Sequence, residues 1–116
     1  ERDHVAPWRS VYKVHGLTDT EVTFVLASGG HNAGIVSEPG HPHRRFRIAT
    51  LGHDDTSISP DEWVERSEAR EGSWWESWVG WLAVRSSGQV PPPAMGYAES
   101  GPAPLADAPG TYVLQR

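Results

Sequence analysis

Hydrophobic positions along this chain follow two spacings, separated by stretches that follow none. Behind Pro7, the residues Trp8, Val11, Tyr12 and His15 recur at i, i+3, i+4 and i+7, which predicts a helix that Gly16 stops. The run 21–26 changes to a period of two, with Val22, Phe24 and Leu26 on one side and Thr23 and Val25 on the other. Both sides are fairly apolar, so the run reads as an interior strand short of neighbours. From 37 to 56, Pro39, Gly40, Pro42 and Gly52 interrupt every period, and the segment reads as mostly loop, with 45–49 as a short edge strand.

Ser59-Pro60-Asp61-Glu62 then supplies an N-cap serine, a proline at the first helical position and a glutamate at the third. The predicted helix carries Trp63, Val64, Ser67 and Glu68 up to Gly72, where Ser73-Trp74-Trp75-Glu76 repeats the capping pattern and opens a second helix. Trp74, Trp78, Trp81, Leu82 and Arg85 share one face of that second helix, so 59–88 reads as a helical pair bent at Gly72. Beyond it, 89–116 is a Pro/Gly-rich tail in which only 111–114 suits a short strand.

Composition narrows the function classes. The chain has 116 residues, enough for one domain at most, and an apolar fraction of 37% with ten prolines and twelve glycines is lean for a self-sufficient globule. A piece of something larger, marginally stable or self-associating, is the expectation. The net charge of −5 argues against a nucleic-acid partner. The absence of cysteine excludes disulfides and thiolate metal sites and fits a reducing cytoplasm. No apolar run is long enough to cross a bilayer, and no cofactor is implied.

Candidate chemistry centres on Asp3 and His31. The strand 21–26 opens into Ala27-Ser28-Gly29-Gly30-His31-Asn32-Ala33-Gly34, whose small residues permit a sharp turn and leave an imidazole at a strand end, where α/β enzymes build active sites. An upstream aspartate can accept from one imidazole nitrogen and leave the other free as a base. The acid-then-histidine order is that of α/β-hydrolases. The plain alternative has Asp3 capping the helix at Pro7 and His31 sitting in a turn. His41, His43, His53, Asp54 and Asp55 have metal-ligand side chains, but their spacing fits no recurrent zinc pattern, and a solvated loop is the better reading. The tryptophans read as packing units of the C-terminal half. Arg44, Arg45 and Arg47 suit either a phosphate-bearing substrate or a solvated charge run.

Asp3-His4-Val5-Ala6-Pro7-Trp8, then Phe24-Val25-Leu26 leading to Ser28-Gly29-Gly30-His31-Asn32-Ala33-Gly34-Ile35-Val36 with Pro39, closely resembles the C-terminal end of poly(3-hydroxyalkanoate) synthases. Gly72-Ser73-Trp74-Trp75 with Trp78, Trp81, Leu82 and Ala83, and Ala108-Pro109-Gly110-Thr111-Tyr112-Val113, extend the likeness over nearly the whole chain, of the class I type. The resemblance implies an α/β fold class: a C-terminal fragment of an α/β-hydrolase-like catalytic domain. Residues 1–40 would end that core and carry Asp and His of a Cys-His-Asp triad. A loop over 41–58, the Trp-rich helical pair over 59–88 and the irregular tail over 89–116 would follow.

The same resemblance implies an acyltransferase that polymerises (R)-3-hydroxyacyl-CoA and releases CoA. His31 would be the base and Asp3 its orienting carboxylate, with His4 beside the dyad as a lesser, substrate-binding candidate. The cysteine would sit on a Gly-x-Cys-x-Gly-like elbow upstream, so this chain alone is expected to be inactive. Its partners would be the acyl-CoA substrate, the growing polyester and the remainder of the synthase polypeptide, with room for a homodimer, in the cytoplasm or at a polyester granule surface. Two rival readings remain. One is a noncatalytic Trp/Pro-rich module that contacts granule, lipid or protein surfaces through exposed rings. The other, a standalone serine hydrolase, needs a serine turn before the acid, where only Glu1 and Arg2 stand.

Overall fold

A computed structural model describes residues 1–55, 58–93 and 105–115. Residues Glu1–Arg85 and Ser86–Arg116 are two compact units. In the first unit, helix α1 (Trp8–Val11) tightens directly into a 3₁₀ turn (Tyr12–Gly16) and leads to strand β1 (Val22–Ala27). Helix α2 (His31–Ile35) follows, then β2 (Arg45–Leu51), α3 (Pro60–Arg66), β3 (Glu68–Glu71) and α4 (Trp75–Ala83). The sheet order is β1-β2-β3, antiparallel throughout, with Phe24 opposite Ala49 and Leu26 opposite Arg47.

One layer of aromatic rings forms the core. Tyr12, Phe24, Leu26, Leu51 and Trp63 pack together, and Trp63 is only 1% exposed. The Trp63 ring meets Phe24 edge to face at 5.2 Å and Tyr12 at 6.0 Å, and Tyr12 meets Phe24 at 5.4 Å. Each such pair contributes roughly 0.5–1.5 kcal/mol beyond the area it buries. The Tyr12 hydroxyl also donates to the Ile58 carbonyl at 3.0 Å, which ties the first helix to the entry of α3.

Helix α3 begins where the sequence predicts. Ser59 Oγ accepts from the Glu62 N–H, and the Glu62 carboxylate accepts from the Ser59 N–H, closing the capping box. It ends earlier than predicted. Arg47 of β2 donates to the carbonyls of Val64 and Ser67 at 3.0 and 2.5 Å, and the chain leaves Ser67 extended to become β3. The helical pair over 59–88 is therefore two helices with a strand between them.

Four further expectations give way. The loop over 41–58 contains β2, which is the central strand of the sheet and not a short edge, because it pairs with β1 on one side and β3 on the other. The strand expected at 111–114 is a 3₁₀ turn (Tyr112–Leu114) without a strand partner among the described residues. The α4 tryptophans are not the packing centre: Trp78 is 48% exposed and Trp81 38%, while Trp63 holds the core. The second serine box also stays open. Ser73 Oγ accepts from Trp75 N–H, but α4 has no side-chain cap bond at its N-cap, Trp74. Much of the predicted irregular tail, residues 94–104 and 116, lies outside the described residues.

Two consequences can be measured. Trp63→Ala should cost about 3–5 kcal/mol in urea denaturation. Trp63→Phe should cost less, because the indole Nε1 is buried without a partner among the described residues and phenylalanine removes that donor. The second concerns His15, which is 5% exposed between the Tyr12 and Phe24 rings; burial pushes its pKa below the usual 6.5. The folded state then resists a proton that the unfolded chain accepts. Stability should fall as pH drops below about 6.5, and His15→Phe should flatten that part of the profile of stability against pH.

Candidate active site

The turn after β1 is built by small residues. Gly29 has a φ of +109°, a left-handed conformation that L side chains rarely adopt, and a Cβ on Gly34 would lie 3.2 Å from the Ser28 carbonyl oxygen. The chain can thus reverse at once from β1 into α2, whose first residue is His31. On the other side, the backbone nitrogens of Glu1 and Arg2 donate to the carbonyls of Ala27 and Gly29 at 2.7 and 2.8 Å, which lays the segment before Asp3 along the end of β1.

Asp3 divides its two oxygens between two tasks. Oδ1 accepts from the N–H groups of Val5 and Ala6 at 2.8 and 2.9 Å, fixing the turn into α1. Oδ2 lies 2.9 Å from His31 Nδ1. The backbone N–H of Ala6, then the His31 bond and the Val5 N–H, lower the Asp3 pKa to about 2. An ionised carboxylate only accepts, so Nδ1 of His31 carries a proton, and in the neutral ring Nε2 holds the free lone pair. The His31 side chain is 49% exposed, and it opens on a groove of about 170 Å³ that Asp3, Trp8, Gly30 and Ile35 also line. The expected cap is absent, since α1 has no side-chain cap bond at Pro7; Asp3 instead closes the turn before the helix, and the same carboxylate meets His31.

The Gly-Ser-Trp-Trp stretch fastens the segment that follows His31. Ser73 Oγ donates to the Ser37 carbonyl, and the indole N–H groups of Trp74 and Trp75 both donate to the Ile35 carbonyl, at 3.0 and 2.8 Å. A carbonyl oxygen has two lone pairs, and both are used here. Sequence spacing shows that these rings share a region but not that they grip the end of α2. Beyond this anchor, Trp74, Trp78 and Trp81 face Thr23, Val25 and Ile48 across an apolar groove of about 270 Å³.

The other candidates scatter. His4 adjoins Asp3 in sequence but is exposed, makes no hydrogen bond among the described residues and lines neither groove. His41 turns to Arg44 and His53 to Asp19, and the described residues contain no cluster of three metal-ligating side chains. Arg47 is consumed by the end of α3, whereas Arg45 pairs with Glu1 at 3.2 Å. Among the described residues, no helix is long and apolar enough to cross a membrane.

No family model matches the chain. Among curated proteins, it is 37% identical over 114 residues to poly(3-hydroxyalkanoate) polymerase 2 of Ectopseudomonas oleovorans, a match covering 98% of this chain and 20% of that protein. It is 38% identical over 116 residues to the poly(3-hydroxyalkanoate) polymerase of Methylorubrum extorquens, covering 98% of this chain and 18% of that one. Against the poly(3-hydroxyalkanoate) polymerase subunit PhaC of Cupriavidus necator, identity is 32% over 111 residues, with 96% and 18% covered. The chain thus spans about a fifth of the length of these relatives. By sequence, it belongs with the poly(3-hydroxyalkanoate) polymerases and corresponds to one part of such a polypeptide.

Proposed function

We propose that this chain is the C-terminal part of a polyester synthase with an α/β-hydrolase-like catalytic domain, and that it contributes the acid and the base of a Cys-His-Asp triad. The observation that carries the reading is the 2.9 Å contact between Asp3 Oδ2 and His31 Nδ1, with the half-exposed His31 side chain lining a groove. A base held this way suits acyl transfer. Nε2 takes the proton of a cysteine thiol, and the thiolate attacks the carbonyl of an (R)-3-hydroxyacyl thioester and expels CoA, which leaves with a proton from His31. Nε2 next takes the proton of the 3-hydroxyl of another acyl unit, whose oxygen attacks the acyl-enzyme and lengthens the ester chain. Asp3 holds the imidazole in the productive tautomer and stabilises the imidazolium. The 116 residues contain no cysteine, so the nucleophile belongs to the rest of the synthase. His4 stays a minor candidate for contact with substrate beside the dyad.

The half-exposed Trp78 and Trp81, with Val79 60% and Leu82 39% exposed, favour a second role on another face. Such a surface suits contact with an apolar body, and a polyester granule in the cytoplasm is the natural one for this family. A homodimer contact would use the same physics.

Two experiments bear on the catalytic reading. Long-range proton–nitrogen NMR of the chain should show His31 as the Nδ1–H tautomer, and Asp3→Asn should move the population toward Nε2–H; an unchanged tautomer would deny Asp3 its orienting role. For activity, the chain alone should release no CoA from 3-hydroxybutyryl-CoA. A chimera in which it replaces the matching stretch of the Cupriavidus necator polymerase should release CoA and form polymer, and His31→Ala should lower that rate by about 10²–10⁴-fold. Full activity of the His31→Ala chimera would remove the base assignment.

A further inference from the structure

The three arginines at 44, 45 and 47 have different fates, and one of them is without a counter-charge among the described residues. Arg47 cross-links β2 to the end of α3, and Arg45 pairs with Glu1. Arg44 does neither. Among the described residues, its Nε is buried without a hydrogen-bond partner, and the one hydrogen bond of its guanidinium runs from Nη2 to His41 Nε2 at 3.4 Å, the long limit of such a bond. Its guanidinium lies against the turn that carries His31: a Cβ on Gly29 would come within 3.2 Å of Arg44 Nη1. His43, just before it, has a φ of +59°, so the backbone enters β2 through a conformation that a non-glycine residue rarely holds.

Around Arg44 lies a cleft of about 170 Å³ lined by Arg2, Ser28, Gly29, His43 and Arg45, with Glu1 at one wall. Arg2 is exposed, and its side chain makes no hydrogen bond among the described residues. Three arginines thus face one glutamate inside a chain whose net charge is −5. A half-buried guanidinium with most of its donors idle is costly unless something accepts from them. Planar, forked donors suit the oxygens of a phosphate better than a single carbonyl. Position matters as much as charge. Glu1 and Gly29 line both this cleft and the His31 groove, so the two open side by side across the Gly29 turn.

We infer that the Arg44 cleft is an anion subsite that takes a phosphate or pyrophosphate of the substrate's carrier while the acyl end is presented to His31. The inference rests on the acyl-CoA reading for the identity of that carrier, whereas the cleft's affinity for phosphate does not.

The test uses the isotope-labelled chain, following the Arg44 and Arg2 Nε–H resonances during titration with inorganic pyrophosphate, coenzyme A, pantetheine and acetate. Saturable shifts at Arg44 with pyrophosphate and with coenzyme A, but not with pantetheine or acetate, are expected. Arg44→Gln should weaken both by about tenfold or more, and Arg2→Gln, on an exposed wall, should weaken them without disturbing the fold. The His31 tautomer signal serves as the check that each variant keeps the turn. Equal binding to Arg44→Gln with that signal intact, or no saturable shift at all, overturns the subsite. Pyrophosphate binding without coenzyme A binding overturns its assignment to the carrier, and neither result depends on whether the chimera is active.

Discussion

The edge-to-face packing of Tyr12, Phe24 and Trp63 is the contact from which the site's geometry follows. Asp3 and His31 are 28 residues apart; Asp3 lies in the turn before the four-residue α1 and His31 opens the five-residue α2, and neither helix has much stability of its own. Asp3 is locked to the first turn of the chain through Val5 and Ala6, while His31 is locked to the end of β1 through the Gly29 turn. The aromatic cluster fastens those two bodies together, since Tyr12 belongs to the first and Phe24 to the second. Trp63, brought by α3, closes the third side. A hydrogen bond with about half of one partner exposed survives as a defined geometry only when the backbones on both sides are held independently of it.

A second fastening works from the opposite side. The Ile35 carbonyl receives two indole N–H groups and the Ser37 carbonyl receives the Ser73 hydroxyl, so the chain leaving α2 is pinned to the chain entering α4. Helix α2 has only five residues, too few to persist unaided. These side-chain donors do for its C-terminal end what a longer helix would do for itself. They also explain why serine and two tryptophans stand together at 73–75: one hydroxyl and two indole donors are used there, and the Trp74 ring also lines the apolar groove with Val25 and Ile48.

How much of this was legible in the sequence depended on whether the signal was local. The capping box at Ser59 and Glu62 and the strand 21–26 were readable because each rests on near neighbours, whereas Asp3 and His31, 28 residues apart, were brought together by the family resemblance and not by spacing. Strand β3 was not readable, since Glu68-Ala69-Arg70-Glu71 is exposed at every position and is extended only because β2 offers it a ladder. The central place of β2 was hidden for the same reason: its arginines look like solvated charge until Arg47 is seen reaching the end of α3. Helical spacing placed the α4 rings on one face correctly. It could not show that the sheet leaves that face half open while the single indole of α3 fills the core. Arg44 carried the faintest signal, as one of three arginines whose different fates only the fold separates.

The ionisation of Asp3 follows from the same turn that fixes its position. The Ala6 N–H is the largest influence lowering its pKa to about 2, ahead of the histidine itself. A carboxylate held so far down is ionised across the physiological range and has no tendency to accept the proton that His31 gathers. On the proposed reading, its part in acyl transfer would be limited to orientation and to charge stabilisation of the imidazolium, with the proton moving between Nε2 and the reacting groups alone. A carboxylate bound only to histidine would lack that guarantee. Because Oδ1 is committed to the backbone of Val5 and Ala6, Oδ2 alone serves the imidazole and holds its Nδ1 edge. One side chain thus holds the entry turn and the imidazole of His31 together.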